Sequence, residues 1–282
     1  MKVGLISFAK WHNRPNTGSS RIRVDYPIKY WPEAEKFQAG AKYDAVIYQK
    51  VYWLDHAKNY NGIKILDMCD PDWLHFDPVV AMAKEVDAIT CSSEALTEQI
   101  RRFTQTPVYY VPDRFDMDVF PKQKVHEGRA KEVVWFGYRG NAYVLRSTLP
   151  ALRRLGLNLS IISDDFTTVC DYGNEDFKQN ERWTKWQIET VNDEIIKSDI
   201  VINPSSTSPK FRYKSNNKTI TAHLLGMPEA HTAEDLQKFL DPEERKKEIA
   251  EKLPIAQKDY DVRLSVKDYK KIIKECRGRR TR

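Results

Sequence analysis

The chain of 282 residues reads as an α/β protein built on parallel sheets. Three observations lead there. Short apolar runs alternate with helical patterns almost throughout. Most of these runs are continuous rather than alternating, as strands buried on both faces require. A polar stretch, FPKQKVHEGRAKE from Phe120 to Glu132, separates two such series. A chain of this length is expected to hold one or two domains.

The first run, Lys2–Phe8, meets Lys10, Trp11, His12 and Asn13 at once. It is too short for the apolar core of a signal peptide and reads as a first strand. Asp44–Gln49, Ile63–Met68, Ala88–Cys91 and Val108–Val111 continue the first series, with helical patterns at Val24–Phe37 and Glu94–Phe103. Val133–Gly137, Leu159–Ser163 and Asp199–Asn203 make the second, with helical patterns at Tyr143–Leu155 and Trp186–Lys197. A charged helix, Pro242 to Leu253, and an amphipathic one, about Leu264 to Cys276, follow. The last is expected to cross back onto the first half. The organisation this predicts is two Rossmann-like domains facing across a cleft. The expected domains are residues 1–125 and 126–255, followed by a crossover helix with a basic tail over 256–282. Ligands of such sheets bind beyond the C-terminal strand ends, which directs attention to the loops there.

Composition narrows the classes. A hydrophobic content of 41% with 14 Tyr, 11 Phe and 7 Trp suffices for packed cores. Cys69, Cys91, Cys170 and Cys276 are scattered, without the C-x-x-C spacing of a zinc site or a disulfide framework. No stretch approaches the ~18 apolar residues of a membrane span, so a soluble, cytoplasmic protein is expected. The net charge of +6 is local. Residues 267–282 hold eight Lys or Arg against Asp268 and Glu275, and without them the chain has 38 of each sign. Such a tail is either a solvated end or an anchor for an anionic partner such as nucleic acid or membrane.

Four strand-end loops carry candidate chemistry. NRPNTGSSRIR places Gly18, Ser19 and Arg21 where a helix begins, an arrangement suited to an anion, although G-x-G-x-x-G is missing. ILDMCDPDW ends a strand with Asp67, Asp70 and Asp72. Asp67 and Asp70 are the candidates for orienting or activating an acceptor hydroxyl, against the alternative of helix capping. VVWFGYRGNAYVL runs from a strand through Gly137 to Gly140, with Arg139 for charge. KFRYKSNNKTITAHLLGMP gathers Lys210, Arg212, Lys214 and Lys218 beside a helix start, with Asn216 and Asn217 between them.

In order and content these stretches resemble GT-B fold glycosyltransferases of the family 4 type. The likeness spans most of the chain, from GSSRIR and ILDMCDPDW through DEIIKSDIVINP and KSNNKTITAHLLGMP to YDVRLSVKDYKKII. The resemblance implies a nucleotide-sugar co-substrate bound by the second half, no further cofactor, no obligatory metal, and retention at the anomeric carbon. It implies that Lys214 and Lys218 neutralise the diphosphate while Asn216 and Asn217 hydrogen-bond phosphate or sugar. Thr221 stands where family members carry a ribose-holding Glu. The acceptor is a saccharide, a lipid-linked sugar or a hydroxylated base in DNA. Two other classes are a nucleotide-sugar epimerase, which would draw on His12, His223 or His231, and a catalytically silent binding module.

Overall fold

Each apolar run singled out above forms a strand in the structure, a computed structural model that describes residues 1–15, 17–75, 77–165, 181–206 and 208–281. Cys170, Thr207 and Arg282 lie outside the described residues. The chain divides into two compact units. The first comprises Met1–Asp116, Ser208–Asn216 and Tyr260–Arg282, the second Met117–Thr207 and Asn217–Asp259. The chain therefore leaves the first unit for the second between Asn216 and Asn217, inside the KSNNK segment.

In the first unit β1 (Val3–Ser7), β2 (Ala34–Lys36), β3 (Ala45–Gln49), β4 (Ile63–Met68), β5 (Ala88–Cys91) and β6 (Val108–Tyr110) form a parallel sheet, ordered β2-β1-β3-β4-β5-β6. Between them run α1 (Phe8–Trp11), α2 (Gly18–Ser20), a π turn over Arg21–Asp25, α3 (Tyr26–Lys29), α4 (Leu54–Asn59), α5 (Val79–Glu85) and α6 (Glu94–Arg101). Strand side chains alternate between two cores. Val46, Tyr48, Leu66 and Met68 meet Met82, Leu96 and Ile100 of α5 and α6 on one face. Val3, Leu5, Ile47 and Ile65 meet the C-terminal helix on the other. Helix 24–37, expected from the sequence, stops after Lys29, and β2 occupies its second half. Pro32 has no N–H to continue a helix and disfavours α geometry at Trp31, so the chain extends and pairs Ala34 beside Val3.

The second unit holds β7 (Glu132–Phe136), β8 (Asn158–Ser163), β9 (Glu181–Lys185), β10 (Ile200–Ile202) and β11 (Glu229–Ala230), again all parallel, ordered β11-β10-β7-β8-β9. A 3-10 segment, Arg139–Ser147, precedes α7 (Leu149–Leu155), and α8 (Val191–Ile195) occupies only part of the helix expected over 186–197. Then come α9 (Asn217–Leu224), α10 (Ala233–Lys238) and α11 (Pro242–Asp259). Val133 and Trp135 face one core, Val134 and Phe136 the other.

The last helix, α12 (Val262–Arg280), belongs to the first unit, as the crossover expectation requires. Val266, Tyr269, Ile272, Ile273 and Cys276 recur at helical spacing and are buried against β1, β3 and β4. Each such aliphatic contributes about 1.5–3 kcal/mol by burial. Its end is not a free tail. Arg280 clamps Asp87, Arg279 reaches Tyr109, and Arg277 pairs with Asp44. Lys267, Lys271 and Lys274 stay exposed. Among the described residues no helix is long and apolar enough to cross a membrane, and Cys69, Cys91 and Cys276 are free and buried.

Candidate functional site

In each sheet the strand order reverses once, and ligands of open parallel sheets bind beyond the strand ends at that point. In the first unit the reversal lies between β1 and β3, in the second between β7 and β10.

At the first reversal, Lys50 follows β3 with a left-handed φ of 53°, uncommon for a residue with a side chain. Its ammonium reaches Asp70 at 2.5 Å and Asp72 at 3.4 Å, and lies 4.9 Å from the centre of the Phe8 ring after β1. Asp70 keeps 29% of its side chain exposed. Asp72 is buried and accepts from the Tyr52 hydroxyl at 2.7 Å. Burial lifts its carboxyl to about 6, against the opposing pull of Lys50 and Tyr52. The sequence reading passes over Lys50 and Tyr52 and names Asp72 only among the three strand-end aspartates. The rule that flagged Asp70, a charged residue just past an apolar strand, would also have flagged Lys50.

Asp67 does something else. It is 1% exposed, and Arg23 holds both its oxygens through Nε and Nη2. Thr90 and Tyr269 donate to Oδ1 at 2.6 and 2.8 Å. The same guanidinium donates to the Val111 carbonyl at 2.6 Å and to Asp113 at 3.2 Å, and Asp113 accepts from Ser215 at 2.6 Å. A carboxylate so enclosed cannot reach an acceptor hydroxyl. Its role is to tie the first helical segment, β4, β5 and α12 together, which corrects the acceptor-activating role read from the sequence.

The remaining first-unit candidates are also engaged locally. Gly18 and Ser19 begin α2, and Arg21 hydrogen-bonds Tyr26. Lys214 lies over the Phe211 ring at 5.4 Å, and Asn216 donates to the Tyr260 hydroxyl at 2.9 Å. Gln49, the last residue of β3, accepts from the Phe8 N–H and the Ser20 hydroxyl.

At the second reversal β7 is followed by Gly137, with φ +154°, and Lys218 in the first turn of α9 lies directly upon it. The backbone angle favours glycine there, and a Cβ on Gly137 would stand 2.7 Å from the Lys218 ammonium, so the lysine would have to shift. That ammonium is 4.3 Å from the Trp135 ring centre, a cation–π contact that holds it at the strand end. Asn217 opens the same helix. Arg139 pairs with Asp165 and, at 3.7 Å, with Asp164, both just past β8.

A buried carboxylate stands beside the start of the same helix. Glu229 on β11 is buried and accepts from Thr219 of α9 at 3.0 Å and from Asn203 of the β10 end at 2.8 Å. Its other oxygen meets His231 at 3.3 Å, and His231 Nδ1 is 2.8 Å from the Asn203 carbonyl. Burial alone would raise Glu229. The hydrogen bonds from His231, Asn203 and Thr219 outweigh it and hold the carboxyl below its ordinary value. The hydrogen bond to Glu229 lifts His231 to about 9. Thr221 bonds back to the Asn217 carbonyl, and His223 is buried within α9.

No family model and no curated protein matches the chain. Solved structures do. A DNA-modifying β-glucosyltransferase, solved with and without uridine diphosphoglucose, superposes with TM-score 0.65 at 9% identity, over 97% of this chain and 100% of that one. T4 phage BGT with its UDP-glucose substrate gives 0.59 at 10% identity, over 97% and 99%. AviGT4, a glycosyltransferase of avilamycin A biosynthesis, gives 0.58 at 11% identity, over 97% of each. With two parallel α/β sheets and near-complete coverage of these enzymes, the chain has the GT-B glycosyltransferase fold.

Proposed function

We propose that the chain is a glycosyltransferase moving a sugar from a nucleotide-sugar donor to an acceptor hydroxyl. The seat of Lys218 on Gly137 carries this reading. It puts a fixed cation at a strand-end reversal and in the first turn of a helix, within a fold shared with enzymes solved with UDP-glucose. Breaking the anomeric C–O bond leaves negative charge on the departing diphosphate. A lysine and helix N–H groups positioned beforehand stabilise that charge most where it develops. Asn217 adds an amide for phosphate or sugar, and Arg139 flanks the same edge. The diphosphate is neutralised by these groups without a metal. Glu229 holds the first turn of α9 through Thr219 and so keeps Lys218 in register.

In the first unit Asp70, half-exposed beside Lys50, orients the acceptor hydroxyl or takes its proton. The acceptor is a hydroxylated DNA base or a saccharide. The family 4 likeness implies retention, which product NMR tests directly; an inverted anomer removes it.

Calorimetry and hydrolysis with a panel of nucleotide sugars test the donor half. Lys218→Ala is expected to weaken donor binding by about 1.5–3 kcal/mol, the range for a hydrogen bond to a charged group. A wild-type chain that binds no nucleotide sugar overturns the proposal.

A further inference from the structure

We propose that the loop after β1 is a stacking platform for a nucleobase, so that the first unit takes its acceptor from nucleic acid. Trp11 ends α1 with 45% of its surface exposed, unusual for so large an apolar side chain. It is rigidly backed. Its ring lies 5.0 Å from Trp53, Trp53 stacks on His56 at 4.4 Å, and His56 stacks on Tyr60 at 5.1 Å. His12 packs on Phe8 at 4.4 Å, and Asn13 turns the chain with φ 49°. An exposed ring held from behind offers a free face at little ordering cost.

In sequence Trp11 is flanked by cations. Lys10 and Arg14, one residue before Trp11 and three after it, are exposed, and among the described residues neither pairs with a carboxylate. Among the described residues the side chain of Lys10 makes one hydrogen bond, a 3.4 Å contact to the Phe37 carbonyl. This contrasts with Lys50, Arg23 and Arg114 of the same unit, each matched by an acid. An aromatic face with cations one and three residues away is the chemistry that binds single-stranded or extruded nucleotides. The base stacks and the flanking phosphates meet the charges. A saccharide would use the ring but leave Lys10 and Arg14 without a purpose, which favours the nucleic acid.

Position agrees. The loop leaves β1 at the strand-order reversal, and Phe8, one helical turn before Trp11, touches the Lys50 that holds Asp70. A base on Trp11 therefore lies at the same sheet edge as the part-exposed Asp70 carboxylate. The inference rests on the glycosyl-transfer reading for what is done to the base, but not for its binding.

The test measures affinity of the full chain for duplex and single-stranded oligonucleotides carrying one hydroxymethylated pyrimidine, without donor. Trp11→Ala is expected to weaken binding about tenfold or more, and Trp11→Phe to keep most of it. Lys10→Gln and Arg14→Gln are each expected to lower the salt slope by about one. A triple Lys267→Gln, Lys271→Gln, Lys274→Gln variant controls for the exposed face of α12. Far-UV circular dichroism checks that each variant folds. If the triple variant loses binding and Trp11→Ala does not, the platform is overturned. It is also overturned if oligosaccharides bind through Trp11 and oligonucleotides do not. Absence of donor binding by the wild-type chain would defeat the glycosyltransferase reading separately, with the oligonucleotide result still deciding the platform.

Discussion

At the strand ends of the first unit two cations are met by carboxylates, Arg23 by Asp67 and Asp113, and Lys50 by Asp70 and Asp72. At the strand ends of the second, Lys218 is held by an aromatic face and a glycine, and the buried Glu229 by a hydroxyl, an amide and His231. The difference separates cohesion from readiness. A buried Arg–Asp pair shields both charges from any ligand and links segments far apart in sequence. A lysine lying on a ring is positioned at its strand end by a group that carries no opposing charge. Conspicuous charge at a strand end is therefore a poor guide to function by itself; what surrounds the charge decides.

The largest expected effect breaks the first half of that contrast. Asp67→Ala leaves the Arg23 guanidinium buried without its bidentate partner and should cost about 3–5 kcal/mol of stability, read from denaturant midpoints. Activity lost with stability intact would instead return Asp67 to the chemistry. Next is Asp72. Its folded pKa, about 6, lies above the ordinary carboxylate value of 3.8, so the folded state binds the proton more tightly. Stability should then fall as pH rises from about 4 through about 6, by up to about 3 kcal/mol, and Asp72→Asn should abolish the slope.

Gly137→Ala probes the second unit. Its Cβ must displace the Lys218 ammonium, so donor affinity should fall several-fold while stability drops by about 1 kcal/mol from the unfavourable φ. A donor affinity unchanged by the methyl would detach Lys218 from the diphosphate. The smallest effect is the alkaline limb at His231. With a folded pKa raised to about 9, its stabilisation is full below about 6.5 and lost as pH rises through 9. Because His231 is half-exposed, solvent screens the pair and the change should be modest. A His231→Gln variant should lack it in pH-dependent melting.

Continuous apolar runs made the eight expected strands legible, since a strand covered on both faces must be apolar along its length. The edge strands β2, β9 and β11 went unread because edge positions impose no such requirement: AEK, ERWTK and EA carry little apolar pattern. The glycine after β7 and the lysine in the first turn of α9 were visible as motif members, but their contact was not, because 81 positions separate them. Sequence alone determined the parallel α/β class, the two series of strands and the amphipathic face of the last helix, all consequences of local periodicity and burial. Tertiary structure alone decided which charges are spent. Asp67 and Asp70 stand three residues apart on one strand end, and only folding sends the first inward to Arg23 and leaves the second half-open beside Lys50. That choice depends on partners from distant segments, which no local pattern encodes.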